Sequence, residues 1–124
     1  IRIDLSERPN EIIRAAMESI GFLVNDILNC IKTAGLDLPA TLTASGGGAK
    51  SSLLQFIANI TGKTISHLLV KDKTAFGVYR ILSSNYLNQI LKEEIGEIFY
   101  PEKIPTLRGK IDKWKQSIKV LERL

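Results

Sequence analysis

The chain contains one cysteine and one histidine among its 124 residues. A disulfide within the chain is therefore excluded, and so is the Cys/His cluster that holds a structural zinc ion. No apolar run is long enough to cross a bilayer, and no secretory leader is visible. These absences favour a reduced, cytoplasmic protein. Cys30 falls in an apolar helical pattern, so we expect a buried, unreactive thiol.

The chain also has little net charge. Seventeen basic and 13 acidic residues leave +4, which suits an anionic ligand but does not make the charged stripe of a nucleic-acid-binding protein. The apolar fraction of 44% is ordinary for a folded domain, and this length allows one domain at most. The first residue is Ile1 rather than Met, so we expect a piece of a longer protein.

The most informative feature that is present is the glycine-rich segment of residues 45–51, SGGGAKS. It lies between a short β-like run around Leu42 and a helix-like run that begins near Ser51. Glycine lets the backbone approach an anion closely, and the helix that follows offers unpaired N–H groups at the positive end of its dipole. The segment therefore predicts a site for a nucleotide phosphate.

Two common phosphate loops do not match this segment. A Walker A loop needs glycine where Ala44 and Ala49 stand, and the dinucleotide fingerprint needs its third glycine where Ser51 stands. Taken by itself, the local pattern leaves open a flexible strand-to-helix turn that binds no ligand.

Helical spacing of apolar residues predicts a long first helix from Pro9 to a left-handed cap at Gly35. A second helix is predicted from Ser51 to Thr61, with Gly62 as its cap. A third helix follows, with Thr74 as the expected N-cap.

Two short strands are predicted, one around Leu42 and one over residues 64–70. Their alternation with helices predicts parallel pairing. Two parallel strands do not make a stable sheet, so we expect further strands from outside this chain. The only histidine, His67, lies in the second strand, where we expect a satisfied hydrogen bond rather than a metal ligand.

A C-terminal amphipathic helix is predicted over residues 105–124. Its apolar stripe is expected to pack on the rest of the domain and consists of Leu107, Ile111, Trp114, Ile118 and Leu121. The basic residues around this stripe are most simply a solvated face. The whole chain, 1–124, is interpreted as a single partial domain.

Three segments in this order resemble the C-terminal domain of the FGGY family of carbohydrate kinases. Residues 11–20, EIIRAAMESI, resemble the Arg-Ala-x-x-Glu helix of that family. Residues 45–51 resemble its nucleotide-binding strand-loop-helix, and residues 72–77, DKTAFG, resemble its acidic-x-Thr/Ser-Ala-x-Gly segment. Each segment is short, but their order and spacing together are specific.

The resemblance implies an α/β fold that forms part of an actin-like ATPase (ribonuclease-H-like) lobe, with short parallel strands and several helices. It implies the C-terminal part of an ATP-dependent sugar or polyol kinase, with ATP and Mg²⁺ bound jointly with a missing lobe. The family's catalytic base and most of its sugar pocket lie in that other lobe. We therefore expect no catalytic residue and no metal ligand here, and no activity from the isolated chain.

By the same resemblance, nucleotide binding is assigned to Gly46, Gly47, Gly48, Ala49 and Ser51. The chain departs from the family pattern at several positions. Gln55 follows the glycines one residue early, which rotates its side chain about the helix axis by about 100°. Asn59 stands where the family usually has an aspartate. Tyr79 replaces a small residue and is expected to narrow the space near the nucleotide.

Two alternatives remain open at this point. One is a degenerate, non-catalytic actin-like module, which the bulky Val78 and Tyr79 suggest. The other is a small basic helical domain that binds nucleic acid through the C-terminal helix. The sequence identifies neither the sugar or polyol nor the oligomeric state, and a homo-oligomer stays an open alternative.

Overall fold

The computed structural model describes residues 8–70, 72–83 and 94–121. The helices and strands in these ranges are α1 (Pro9–Thr33), β1 (Thr41–Ala44), α2 (Ser51–Thr61), β2 (Thr64–Leu68), α3 (Lys73–Ser83), β3 (Ile95–Phe99) and α4 (Leu107–Leu121). None of the described helices combines the length and apolarity that a membrane span requires.

The predicted helix ends of α1 and α2 are confirmed. Pro9 lies in the first turn of α1, and Gly35 follows that helix with φ of 80°. Gly62 ends α2 in the left-handed conformation, with φ of 65°, and its N–H donates to the carbonyl of Ala58. Both glycines take a φ that a side chain disfavours, which is why they stop the helices where they do.

The predicted N-cap of α3 is wrong by two residues. The carboxylate of Asp72, rather than the hydroxyl of Thr74, accepts a hydrogen bond from the amide of Ala75 at 2.9 Å. Thr74 itself lies inside α3. An aspartate immediately before the helix satisfies a first-turn amide and also complements the helix dipole, so it is the better cap.

Strands β1 and β2 pair in parallel, from Thr41 opposite Thr64 to Ala44 opposite His67, as predicted. The second strand ends at Leu68, two residues before the predicted end. The described sheet also contains β3, which the sequence analysis missed and which pairs antiparallel with β2. The order β1-β2-β3 leaves β1 at one edge of the described sheet.

The core is built on α2, which contacts the sheet on one side and helices on the other. On the sheet side, the buried cluster consists of Leu54, Ala58, Ile65 and Phe99. On the helix side, Ile60 packs with Phe22 of α1 and Leu107 of α4. Each large apolar side chain buried in this way contributes roughly 1.5–3 kcal/mol.

Three residues of the predicted apolar stripe, Leu107, Ile111 and Trp114, pack in the cluster that contains Phe22 of α1, as the sequence analysis expects. The Trp114 ring stacks on Phe22 with centroids 5.3 Å apart and planes 15° apart. Its indole N–H donates to the Asp26 carboxylate at 2.7 Å. The C-terminal helix predicted over 105–124 corresponds to α4, and residues 122–124 lie outside the described ranges.

Helices α1 and α2 approach each other closely at Gly21, which is buried. A Cβ atom at this position would lie 2.5 Å from Cδ1 of Phe56 and 2.6 Å from its Cε1. The Phe56 ring in turn packs edge-on against Phe22, with centroids 5.6 Å apart. The absence of a side chain at Gly21 therefore makes room for an aromatic pair.

The opposite face of α1 is uncovered by the described residues. Ile13, Ile20, Leu23 and Ile27 are each about half exposed, at 47–60%. Cys30 is also exposed, so the prediction of a buried thiol is wrong. It lies seven residues after Leu23 and so shares the uncovered face rather than the face that contains Phe22.

Candidate nucleotide site

The glycine-rich segment is the turn between β1 and α2. Gly46 has φ of 98°, in the left-handed region that a side chain strongly disfavours. Two hydrogen bonds close the turn: the Ala49 amide donates to the Gly46 carbonyl at 3.1 Å, and the Lys50 amide donates to the Gly48 carbonyl at 2.9 Å. The amides of Ala49 and Lys50 are therefore used inside the turn.

The amides before them are open. Within the described part of the chain, no hydrogen bond is recorded from the amides of Gly46, Gly47 or Gly48. Gly47 and Gly48 are exposed, and a Cβ atom at either position would meet nothing within 4 Å. The main chain of these two glycines is thus accessible to a ligand from the solvent side.

The first turn of α2 adds further donors. Its N-cap residue, Lys50, makes no side-chain capping hydrogen bond. The first amide of the helix to find a main-chain acceptor is that of Leu54, which donates to the Lys50 carbonyl at 2.9 Å. The amides of Ser51, Ser52 and Leu53 therefore lack a partner within the helix and lie at the positive end of its dipole.

The side chain of Ser51 has a partner of its own. Its hydroxyl donates to the carboxylate of Glu97 on β3, with an Oγ to Oε2 distance of 2.8 Å. While this bond stands, the hydroxyl hydrogen of Ser51 is not available to a phosphate oxygen. Sequence reasoning did not single out Glu97, because the strand that carries it was not predicted.

Ala49 anchors the turn to the interior. Its side chain is half-buried and packs against the cluster that contains Leu54 and Ile65. The five residues assigned to nucleotide binding therefore lie together at one end of α2 but in different situations. The amides of Gly46, Gly47 and Gly48 have no hydrogen-bond partner among the described residues, whereas the Ala49 amide and the Ser51 side chain already have partners inside the protein.

Gln55 and Asn59 do not serve the turn. The side-chain amide of Gln55 donates to Asn59 Oδ1 and to the carbonyl of Tyr100, both at 2.8 Å. Asn59 Oδ1 also accepts from the main-chain amide of Glu102 at 2.9 Å. These two side chains tie α2 to the segment after β3. The narrowing effect expected of Tyr79, which is 45% exposed on α3, stays a prediction.

A charged cluster joins α1 to α4. Arg14 and Glu18, four residues apart on α1, form an ion pair with Nε to Oε1 at 2.9 Å. Lys110 of α4 adds a second cation, its Nζ lying 2.6 and 2.7 Å from the two oxygens of Glu18. Partial burial raises the pKa of the Glu18 carboxyl, but hydrogen bonds and charge from Lys110 and Arg14 outweigh it. The pKa therefore lies below its ordinary value of 4.5.

His67 is half-buried in β2, opposite Ala44. The hydrogen-bond partner expected for its ring is not found among the described residues. In the same part of the chain, no group of three or more His, Cys, Asp or Glu side chains is arranged to hold a metal ion.

Comparison with known sequences gives a consistent result. The profile of the FGGY family of carbohydrate kinases, C-terminal domain, matches residues 1–83. Glycerol kinase of Lactobacillus acidophilus is 31% identical over 117 residues, which cover 88% of this chain and 23% of that protein. Glycerol kinase of Solidesulfovibrio magneticus is 43% identical over 68 residues, or 53% of this chain and 14% of that protein. The chain spans less than a quarter of the length of these curated relatives.

Solved structures agree with the sequence matches. The crystal structure of Plasmodium falciparum glycerol kinase with ADP superposes with a TM-score of 0.74 at 19% identity, covering 96% of this chain and 26% of that one. Xylulose kinase from Rhodospirillum rubrum gives a TM-score of 0.67 at 16% identity, covering 98% and 26%. At these identities the likeness concerns the fold. It confirms the predicted α/β, actin-like lobe, although β3 departs from the expected short parallel strands.

Proposed function

The chain belongs to the FGGY family of carbohydrate kinases, as part of the C-terminal domain, and from this premise we propose that it supplies the nucleotide-binding turn of an ATP-dependent sugar or polyol kinase. One observation carries the proposal: the open amides of Gly46, Gly47 and Gly48 stand directly before the uncapped first turn of α2. Phosphoryl transfer depends mainly on positioning and on neutralising phosphate charge, and such donors supply both.

Each assigned residue has a defined role in this proposal. The amides of the three glycines donate to the nucleotide near its adenosine and adjoining phosphate. Ser51 acts through its main-chain amide, because its hydroxyl is held by Glu97. Ala49 holds the turn in place through its packing on the core. The exposed side chain of Lys50 adds positive charge beside the phosphates.

The remaining parts of the reaction belong to the rest of the kinase. We assign the catalytic base, most of the sugar or polyol pocket and the ligands of Mg²⁺ to the lobe that this chain does not contain. Mg²⁺ would enter with ATP, whose phosphate oxygens it coordinates. The isolated chain is accordingly expected not to phosphorylate any polyol. A cytoplasmic location fits this role.

The test is calorimetric titration of the complete kinase with ATP and Mg²⁺. Gly47→Asp places a carboxylate among the open amides, where its negative charge would repel the phosphates of ATP. We therefore expect ATP binding to be at least roughly tenfold weaker. The matched control is Gly109→Asp, which adds the same charge at an exposed, uncrowded site on α4. Leu107, two residues earlier, contacts Ile60 at the far end of α2.

Two results would contradict the proposal. One is the absence of ATP binding by the complete protein, and the other is equal ATP affinity in the two aspartate variants. The alternatives of a degenerate module and of a nucleic-acid-binding helical domain receive no support from the comparisons. Turnover of a polyol by the complete protein would separate an active kinase from a degenerate one.

A further inference from the structure

Glu97 brings a negative charge to the mouth of the glycine turn. Its carboxylate accepts the hydroxyl of Ser51, the first residue of α2, at 2.8 Å, although the two residues are 46 positions apart in the chain. Because β3 runs antiparallel to β2, its first residue, Ile95, lies opposite Leu68 at the end of β2. The first half of β3 therefore lies at the same end of the sheet as the turn that follows β1, where β1 and β2 have their carboxyl ends.

The Glu97 carboxylate supplies a negative charge that α2 itself lacks near its N-terminus. This helix has no acidic residue in its first turn and no side-chain cap. A negative charge near a helix N-terminus interacts favourably with the dipole, and Glu97 supplies that charge from a neighbouring strand. The same charge is repelled by any phosphate that approaches the open amides.

We infer that Glu97 is a specificity-determining residue of this nucleotide site. Its carboxylate weakens the attraction of the α2 N-terminus for the phosphate chain and leaves the binding of the nucleoside unaffected. The inference rests on the proposed function, because it assumes that the turn binds a nucleotide. The two assign opposite effects on phosphate binding: the glycine amides attract the phosphates, whereas the charge of Glu97 repels them. Its strength should therefore grow with the number of phosphates on the ligand.

The experiment compares ATP, ADP, AMP and adenosine by calorimetry in the complete kinase with Mg²⁺ present. Glu97→Gln removes the charge while keeping an oxygen that can accept the Ser51 hydroxyl. We expect roughly two- to fivefold tighter binding of ATP and ADP at low ionic strength, the size typical of one charge at an exposed helix end. Adenosine affinity should not change, and the gain for ATP should fade at high ionic strength.

Glu102→Gln is the matched control. Glu102 is also exposed and follows β3, but its main-chain amide contacts Asn59, near the opposite end of α2 from Ser51. The same loss of charge there should leave the affinities of all four ligands unchanged. A Glu102→Gln variant that matched Glu97→Gln would mean that net charge alone explains the effect, and the inference would be wrong.

The remaining outcomes separate this inference from the proposal beneath it. If the unaltered kinase binds ATP and Glu97→Gln leaves that affinity the same or weakens it, the inference fails while the proposed function stands. Tighter binding of adenosine as well would point to a change in the fold of the turn and would also overturn it. If the unaltered kinase does not bind ATP, both fail together.

Discussion

Substitution of Gly21 with alanine tests whether the contact between α1 and α2 is as close as the structure shows. The new methyl group would lie 2.5 Å from a ring carbon of Phe56, well inside van der Waals contact. The ring cannot move freely, because it packs edge-on against Phe22 at an angle of 85°. Forcing such a group into a packed contact costs roughly 1–3 kcal/mol.

Alanine also improves the helix, so the two effects must be separated. Replacing glycine in a helix interior is worth about 1 kcal/mol on its own. Gly109→Ala, in the first turn of α4, is the reference for adding a methyl group to a helix without a clash, because a methyl group there meets nothing within 4 Å. We expect Gly109→Ala to stabilise the chain, and Gly21→Ala to lie about 1–3 kcal/mol below it in free energy of unfolding.

The assay is urea unfolding of both variants followed by circular dichroism. A second comparison adds Phe56→Leu, which shortens the opposing side chain. If the clash is real, the double variant with Gly21→Ala should lose less stability than the sum of the two single losses. Equal stability of Gly21→Ala and Gly109→Ala, or strict additivity in the double variant, would refute the close approach.

Two further predictions concern polar contacts. Lys110→Met removes one cation from Glu18 and should cost about 1 kcal/mol of unfolding free energy near neutral pH. The folded-state pKa of Glu18 lies below 4.5, so this contribution is complete above pH 4.5 and is lost as the pH falls through the folded-state pKa. The urea unfolding curves of the two proteins should therefore converge in acid. A stability difference that persisted there would contradict the ion pair. Gln55→Ala should cost about 1 kcal/mol of unfolding free energy by removing the hydrogen bonds to Asn59 and Tyr100. It should leave the ATP affinity measured by calorimetry unchanged. Weaker ATP binding would mean that Gln55 reaches the nucleotide.

The parts of the fold that the sequence predicts are those that local chemistry determines. Pro9, Gly35 and Gly62 act within a single helical turn of their own positions, so their roles follow from residue type alone. The glycine turn is similarly local, because a short strand, three glycines and a helical pattern follow one another without interruption. The position of this turn between β1 and α2 could therefore be predicted.

The remaining features depend on contacts between distant residues. Strand β3 is short, contains Gly96 and Glu97, and is recognisable only through its pairing with β2. The bond between Ser51 and Glu97 could not be predicted for the same reason. Cys30 was expected to be buried because its neighbours are apolar, but the apolar pattern of a long helix does not say which face is covered.

The free edge of β1 has a practical consequence for work on this chain alone. Its main-chain groups have no neighbouring strand on one side within the described sheet, and Ile13, Ile20 and Leu23 leave apolar surface exposed on α1. Unprotected strand edges template aggregation, and exposed apolar surface adds to that tendency. Oligomers formed by the purified chain would therefore report on these surfaces and would not reveal how the complete protein assembles.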